Sequence, residues 1–283
     1  MANVTHLRVT AVLFPLVALA ACALPDDEAA AEAASPLLAS PFQRGKERAW
    51  FHDEGDAYGV FHTYDAFSAC GAARKIHVLV PRGYEESAAS YPVIYMNDGN
   101  TSFWRGGIGN RTWGVQKTLA ELGTSIDRPI VVAIEPRDRE SEYTYAPWVP
   151  LRSCCGLPDY AREVATCLKP WIDGNYRTRS AAASTSIVGS SHGGLASYWI
   201  ASRYPNAFGA AAAMSPSFWA GLGGSGVSGS SLVTPVTSTL RGSGRPRFWI
   251  DWGLRRSNGF SDSFVACACQ PPTSRKSRID SLA

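Results

Sequence analysis

The chain has 283 residues, of which 45% are hydrophobic and 18% are charged, and its formal net charge is +3. This composition supplies enough apolar side chains for a buried core and too little charge for a disordered chain. The basic residues are scattered apart from a short run at Arg275, Lys276 and Arg278, so the sequence lacks the clustered positive charge of a nucleic-acid-binding protein. The length predicts one large domain or at most two.

The N-terminus has the features of a bacterial lipoprotein signal peptide, which we assign to residues 1–21. A weakly positive start precedes an apolar run from Val9 to Ala21. This run is shorter than the roughly 20 residues that span a bilayer, and its length is typical of a signal peptide. It ends in Leu19-Ala20-Ala21-Cys22, which resembles the lipobox that precedes a lipidated cysteine. The alternative is an ordinary cleavage site followed by an unmodified cysteine.

These features predict a protein that is secreted across the inner membrane. Lipid on Cys22 would anchor it to the bacterial cell envelope, on the periplasmic or outer-surface side. Residues 22–45 are rich in alanine, proline and acidic residues and are predicted to be a flexible tether. We expect a folded domain over residues 46–265 and an aberrant or disordered tail over residues 266–283.

The cysteines that follow Cys22 are even in number and would lie in a compartment where disulfides persist. Their pairing cannot be deduced from the sequence. No spacing of cysteine and histidine fits a zinc site, so we predict neither a metal nor a cofactor. These cysteines are Cys70, Cys154, Cys155, Cys167, Cys267 and Cys269.

Apolar runs alternate with stretches of helical period, as in βαβ units. The predicted strands are Lys75–Val80, Val93–Met96, Ile130–Ile134, Ser186–Val188, Ala210–Met214 and Phe248–Asp251. The predicted helices are Thr112–Leu122, Asp159–Ile172 and Gly194–Tyr204. The wholly apolar run Ile130–Ile134 is typical of a central parallel strand that is buried on both faces. The pattern predicts an α/β fold with a mostly parallel central sheet and helices on both faces.

The strongest chemical signal is Gly189-Ser190-Ser191-His192-Gly193, which fits the pattern G-x-S-x-G. An apolar strand precedes it and a helix rich in small residues follows it, as the nucleophile elbow of a serine hydrolase requires. Ser191 is then expected above the sheet at a helix N-terminus. There the backbone N–H of His192 and the helix dipole can stabilise an oxyanion. The alternative is a glycine-rich loop before a helix.

A second oxyanion donor is expected in a loop that follows an earlier strand. The segment Tyr95–Asn100 (YMNDGN) has that place in the chain. It predicts the backbone N–H of Asn100 as the donor, and an ordinary β-turn is the alternative.

Several stretches resemble the putative-esterase family of α/β-hydrolases, which includes esterase D, enterochelin-type siderophore esterases, feruloyl esterases and the antigen 85 mycolyltransferases. The stretches occur in family order across most of residues 75–253. They are VIYMNDGN (93–100), IVVAIEPRDRESEYT (130–144), KPWIDGNYRT (169–178), IVGSSHGGLASYWIASRYPNAFGAAAAMSPSFW (187–219) and FWIDWG (248–253). The resemblance implies an α/β-hydrolase fold and a serine esterase that cleaves a small-molecule carboxylic ester (siderophore-like, acyl or aryl) through an acyl-enzyme.

The resemblance also implies roles for individual residues. Ser191 matches the nucleophile, and Asn100 and His192 match the oxyanion donors. A segment near the active-site mouth is matched by Arg137, Glu140 and Tyr143, of which Arg137 and Tyr143 are predicted to bind substrate.

The triad acid and the substrate pocket are less closely defined. Asp251 ends a predicted strand in the right place for the acid, and Asp262 is the alternative. Aromatic side chains near the predicted mouth either line an acyl or aryl pocket or belong to the core. They are Trp104, Trp148 and Trp219.

The chain departs from the family in its histidines. All five precede Asp251, whereas the family places its general base after the acid. They are His6, His52, His62, His77 and His192, and the sequence does not exclude that His52 or His62 reaches the serine. After Val265 the sequence no longer resembles the family, so we expect the last strand and helix of the fold to be missing through a frameshift or truncation. A genuine disordered end is the alternative.

Two functions are consistent with this sequence. One is an esterase whose activity is impaired, because a serine without a base is a weak nucleophile. The other is a non-catalytic surface lipoprotein that uses the same fold as a binding module. The sequence leaves open the identity of the ester, the choice between hydrolysis and acyl transfer, and the oligomeric state.

The lipobox predicts a specific mature N-terminus. Mass spectrometry of the protein from bacterial membranes should identify Cys22 as the first residue, with a diacylglyceryl modification. A mature chain that starts elsewhere and carries an unmodified Cys22 would contradict this prediction.

Overall fold

The structure is a computed structural model that describes residues 38–107, 110–147, 151–218, 220, 245–251 and 277–278. Cys22, Trp148, Trp219 and Asp262 lie outside the described residues, as does the predicted signal peptide, so their assignments stay predictions.

Within the described residues, ten strands form one mixed sheet in the order β1-β2-β3-β4-β6-β5-β7-β8-β9-β10. The strands are β1 (Leu38–Arg44), β2 (Glu47–Asp53), β3 (Gly59–Phe67), β4 (Arg74–Pro81), β5 (Val93–Asn97), β6 (Ile130–Ile134), β7 (Thr185–Ser190), β8 (Ala210–Met214), β9 (Arg247–Asp251) and β10 (Ser277–Arg278). The strands from β6 through β5, β7 and β8 to β9 run parallel. The six strands predicted from the sequence are confirmed, and five of them form this parallel half.

The N-terminal strands β1 to β4 pair antiparallel, and β4 joins β6 antiparallel. Strand β1 lies inside the segment predicted to be a tether, so the tether boundary at residue 45 is wrong. Leu38–Arg44 pairs with β2 along its whole length, yet it is an edge strand with mostly exposed residues and an internal proline. Such a strand has no apolar run that marks it in the sequence.

The helices are α1 (Gly99–Ser102), α2 (Val115–Leu122), α3 (Arg139–Glu142), α4 (Leu157–Glu163), α5 (Lys169–Asn175) and α6 (His192–Arg203). A π-helical turn over Val164–Leu168 joins α4 to α5. The three predicted helices correspond to α2, the α4–α5 unit and α6. None of the described helices combines the length and the apolar character needed to cross a bilayer.

The core lies on both faces of the sheet because successive strand residues point to opposite sides. On one face, Val132 and Ile187 pack with Leu195 and other residues of α6 and α4–α5. On the other face, Val131 packs with Leu119 of α2. The predicted placement of helices on both faces is therefore confirmed.

Two disulfides occur within the described residues, and the sequence had left their pairing open. Cys70 after β3 is bonded to Cys167 in the π-helical turn, and the adjacent Cys154 and Cys155 are bonded to each other. The first bond links the antiparallel half of the sheet to the α4–α5 unit.

A buried arginine ties the sheet to α3 and α4. Arg74, at the start of β4, donates two hydrogen bonds to Glu142 at 3.0 and 2.7 Å and two to Glu163 at 3.0 and 3.2 Å. A fifth bond, of 3.0 Å, reaches the Glu135 carbonyl oxygen. These five bonds use the whole guanidinium fork, so the buried charge is fully paired. Because Glu142 ends α3, Arg74 fixes the helix that borders the candidate site.

We expect Arg74→Met to lower the free energy of unfolding by about 3 kcal/mol, since it leaves buried carboxylates without their main partner. Urea denaturation measures this change. Arg162→Met is the control, because its pair with Asp159 is exposed and i,i+3 on one helix, and it should change stability little. Equal small effects from both variants would contradict the role of Arg74.

Candidate active site

Ser191 occupies the turn between strand β7 and helix α6. Its backbone has φ 57° and ψ −121°, a region that residues with a side chain rarely adopt. Its N–H donates to the carbonyl oxygen of Met214 at 2.9 Å, and its own carbonyl accepts from Ser217 at 3.0 Å. The tight turn predicted from the G-x-S-x-G pattern is present, and neighbouring backbone holds it in place.

The two glycines of the pattern are required by close packing. A Cβ at Gly189 would lie 2.3 Å from the Gly193 carbonyl oxygen, and a Cβ at Gly193 would lie 2.8 Å from Asp98 Oδ2. Both distances are shorter than any normal contact. Glycine at these positions therefore allows the strand, the turn and the loop after β5 to approach one another.

A buried amide that sequence reasoning missed joins β5 to the turn. Asn97 Nδ2 donates to the Gly193 carbonyl oxygen at 3.0 Å and to Ser197 Oγ at 2.9 Å. Its Oδ1 accepts from the Tyr160 hydroxyl at 2.5 Å. The Asn97 side chain thus links the end of β5 to α6 and α4. In the sequence, the only indication of this role is that Asn97 directly precedes the Asp98-Gly99 turn.

Asn100 lies in the first turn of α1, three residues beyond the end of β5. The register pairs Met96 of β5 with Val188 of β7, so these parallel strands end at the same edge of the sheet. Asp98, at φ 59° and ψ 50°, turns the chain into α1. The structure therefore brings the Asn100 segment and the Ser191 turn to one edge, while the donor role of the Asn100 N–H stays a prediction.

An ion pair that no sequence pattern indicates lies beside the turn. Arg139 of α3 donates from Nε and Nη2 to the Asp98 carboxylate at 2.7 and 3.0 Å. Its Nη2 also lies 3.4 Å from the carbonyl oxygen of Ser190, the residue before Ser191. The pair contacts both the turn and the loop after β5.

Two residues predicted to bind substrate have other surroundings. Tyr143 is fully buried, and its hydroxyl accepts the Asp98 N–H at 2.9 Å, so no surface is left for a ligand and this prediction is wrong. Arg137 donates to Glu142 at 3.0 Å and also binds Glu163. Arg137 therefore belongs to the charge network around Arg74.

The predicted acid, Asp251, ends β9 next to Met214 of β8. Its Oδ1 accepts from the backbone N–H of Ser215 at 2.7 Å and lies 3.3 Å from the Ser215 hydroxyl. Ser217 lies two residues after Ser215 in the same segment, and its Oγ is 3.0 Å from Ser191 Oγ. Asp251 thus fixes the segment that contacts the serine, and its role as triad acid stays a prediction.

Two of the histidines form a chain of polar groups across β2, β3 and β4. His52 Nδ1 lies 3.0 Å from Glu54, and its Nε2 lies 2.9 Å from Thr63 Oγ1. His77 Nδ1 lies 2.9 Å from the same Thr63 oxygen, and its Nε2 lies 3.0 Å from Glu135. Both nitrogens of each ring are therefore occupied.

The position of these strands decides whether a histidine from them can reach Ser191. Strands in a sheet lie about 4.8 Å apart. The order of the sheet therefore places β4, β3 and β2 roughly 14, 19 and 24 Å from β7. A general base must lie within about 3 Å of the hydroxyl it deprotonates. The suggestion that His52 or His62 reaches the serine is wrong for this sheet.

His62 and His192 are both buried and shifted toward the neutral form. Burial, followed by the Arg44 charge, lowers the pKa of His62 to about 3. Burial, followed by the Arg139 charge, lowers the pKa of His192 to about 4. The imidazole of His192 is therefore neutral at pH 7.

Trp104 was predicted to line the substrate pocket. Its Nε1 donates to Glu54 at 2.7 Å, and its ring packs against Phe61 at 4.9 Å and His77 at 4.9 Å between centroids. The half-buried ring therefore covers the polar chain on β2 to β4.

A family model described as "Putative esterase" matches residues 68–254, well over half of the chain. The chain belongs to this family. The match includes the Ser191 turn and the strands on both sides of it.

Curated relatives match only in part. The chain is 26% identical over 153 residues to "Uncharacterized protein YbbA" of Bacillus subtilis. The aligned region covers 52% of this chain and 58% of that protein. It is 25% identical over 148 residues to "Esterase Rv1288" of Mycobacterium tuberculosis, and the aligned region covers 52% of this chain and 30% of that protein. The matches thus span less than two thirds of either relative.

Solved structures support the α/β-hydrolase fold. An IroE-like serine hydrolase from Shewanella oneidensis has a TM-score of 0.55 at 20% identity, with 73% of this chain and 67% of that chain covered. Siderophore hydrolase EstB from Aspergillus nidulans has a TM-score of 0.52 at 19% identity, with 73% and 75% covered. At these identities the similarity shows the fold.

The lowered pKa values of His62 and His192 predict loss of stability in mild acid. Their folded pKa values lie below the unfolded value, so the unfolded chain binds more protons as the pH falls below about 6.5. The free energy of unfolding should fall by about 1.4 kcal/mol per pH unit for each histidine between pH 6 and 5. Denaturant titrations at these pH values measure the slope. A His62→Gln variant should show a smaller slope, and an unchanged slope would contradict the assignment.

Proposed function

We propose that the chain is a serine esterase that forms an acyl-enzyme at Ser191 on a small-molecule carboxylic ester. The observation that carries the proposal is the strained backbone of Ser191 between β7 and α6 in a member of an esterase family. Strain of this kind persists only when the surrounding structure imposes it, and it is concentrated at functional sites.

The chemistry assigns a role to each group at this edge of the sheet. Ser191 Oγ attacks the carbonyl carbon of the ester, and the carbonyl oxygen becomes an oxyanion. The backbone N–H groups of Asn100 and His192 donate to that oxyanion, each in the first turn of a helix. The alcohol leaves with a proton, and water then hydrolyses the acyl-enzyme.

The proton of Ser191 must go to a base when the acyl bond forms. Among the described residues, His52, His62 and His77 lie on strands too far away, and the sequence given has no histidine after His192. His192 directly follows the nucleophile, and its imidazole is neutral. We propose that this ring does not take the proton. In this proposal water accepts the proton in place of an imidazole, so acylation is slow.

The family supports only a broad substrate class, small-molecule carboxylic esters. Solved relatives of the same fold include proteins named siderophore hydrolases. Siderophore-like, acyl and aryl esters are therefore the substrates to test first. Lipid on Cys22 would place the site at the cell envelope.

A second function has an observation in its favour. The hydroxyl of Ser191 lies 3.0 Å from Ser217 Oγ, and the described histidines on β2 to β4 are committed to other partners. This arrangement also fits a non-catalytic module that keeps the fold to bind an ester without cleaving it.

Imidazole added to the solution separates these functions. If Ser191 lacks only a base, imidazole should raise its turnover of a short activated ester by about tenfold or more, part of the roughly 10²–10⁴-fold that a positioned base supplies. Without imidazole, the remaining groups should give weak turnover.

The control is Ser191→Ala under identical conditions, because imidazole itself hydrolyses activated esters. Only the difference between the two proteins counts. No Ser191-dependent turnover at any imidazole concentration would favour the binding module. Fast turnover without imidazole that is lost in Ser191→Ala would show that a base is present, and the account of the missing base would then be wrong.

A further inference from the structure

We infer that Arg139 and Asp98 act together as a positioning pair that sets the distance between the nucleophile turn and the oxyanion loop. This inference rests on the proposed function, since it concerns the same site. Neither residue touches the reacting atoms. Both act through the backbone segments that carry Ser191 and Asn100.

The pair connects three segments of the chain at one edge of the parallel sheet. Asp98 follows β5, Arg139 lies on α3 after β6, and Ser190 ends β7. The Arg139 guanidinium makes two bonds to Asp98, at 2.7 and 3.0 Å, and one to the Ser190 carbonyl oxygen at 3.4 Å. One cation thus holds the residue before the nucleophile and the residue two positions before Asn100.

The geometry around Asp98 leaves little freedom. Its backbone has φ 59°, its N–H donates to the buried Tyr143 hydroxyl at 2.9 Å, and its carboxylate packs directly on Gly193. A shift of the carboxylate would therefore move the first turn of α6 or the start of α1. The side-chain exposures of Arg139 and Asp98 are 30% and 14%, so solvent screens this pair only in part.

The surrounding residues fix Arg139 from the other side. Its guanidinium lies 5.5 Å from the centre of the Tyr143 ring. The helix α3 that carries it is held by Glu142, which Arg74 and Arg137 bind. The position of Arg139 is therefore set by buried structure before any ligand binds, as a positioning group requires.

The test compares full-length variants by labelling and by hydrogen exchange. Arg139→Gln removes both the positive charge and the planar guanidinium that makes paired hydrogen bonds, whereas Arg139→Lys keeps the charge without the guanidinium. Asp98→Asn removes the negative charge of the partner. A fluorophosphonate probe measures the rate constant of labelling at Ser191 and the apparent affinity of the probe. Arg162→Gln is the control, because it breaks an exposed ion pair on α4.

We expect Arg139→Gln to lower the labelling rate constant by about tenfold or more, as small misplacements of reacting groups do, with less than about a twofold change in probe affinity. Arg139→Lys should be intermediate. The double variant Arg139→Gln, Asp98→Asn should be no slower than either single variant, because the two residues act as one unit. Additive losses, or labelling at the wild-type rate in Arg139→Gln, would overturn the inference.

Hydrogen exchange tests the positioning without any chemistry. Amides in peptides covering residues 97–103 and 187–196 should exchange faster in Arg139→Gln than in the wild type or in Arg162→Gln. If Arg139→Gln does not fold, the same comparison with Arg139→Lys decides. If the wild-type chain is not labelled at Ser191 even in the presence of imidazole, the proposed function fails. The hydrogen-exchange data then test the positioning role of Arg139 and Asp98 independently of catalysis. Unchanged protection of both peptides in Arg139→Gln would refute that role.

Discussion

The candidate site depends on one close contact between backbone atoms, at Gly189 in β7 and Gly193 in the first turn of α6. A Cβ at Gly189 would lie 2.3 Å from the Gly193 carbonyl oxygen, so only glycine lets the chain reverse here. Ser191, between them, is held at a φ of 57°. Such backbone strain costs about 1–3 kcal/mol, and it persists because Met214 and Ser217 hydrogen bond to the serine backbone.

The parallel sheet explains why polar groups from distant parts of the sequence meet at this contact. Strands β5, β6 and β7 lie side by side and end at the same edge. The residues that follow them therefore face one another, and their charges and amides are paired across loops. Asn97 bonds to the Gly193 carbonyl oxygen, and Arg139 bonds to Asp98. The nucleophile turn is thus fixed by its neighbours before any substrate is present.

The sequence predicted what depends on local pattern. Apolar runs such as Ile130–Ile134 marked the central strands, and the glycines around Ser191 marked the turn. The edge strand Leu38–Arg44 was missed because a mostly exposed strand that contains a proline has no such pattern. The pairing of Asp98 with Arg139 was missed because 41 residues separate them, and only the tertiary fold makes them neighbours. Tyr143 was assigned to substrate because a motif indicates proximity to a site and not the direction in which a side chain points.

In the proposed mechanism, the Ser191 turn and the start of α1 form a preorganised site for an oxyanion. A crystal structure of the fluorophosphonate adduct at Ser191 would test this arrangement, since the phosphonyl oxygen mimics the oxyanion. We expect this oxygen to accept hydrogen bonds of about 2.7–3.1 Å from the backbone N–H groups of Asn100 and His192. A phosphonyl oxygen that faces solvent, or that binds neither amide, would contradict it.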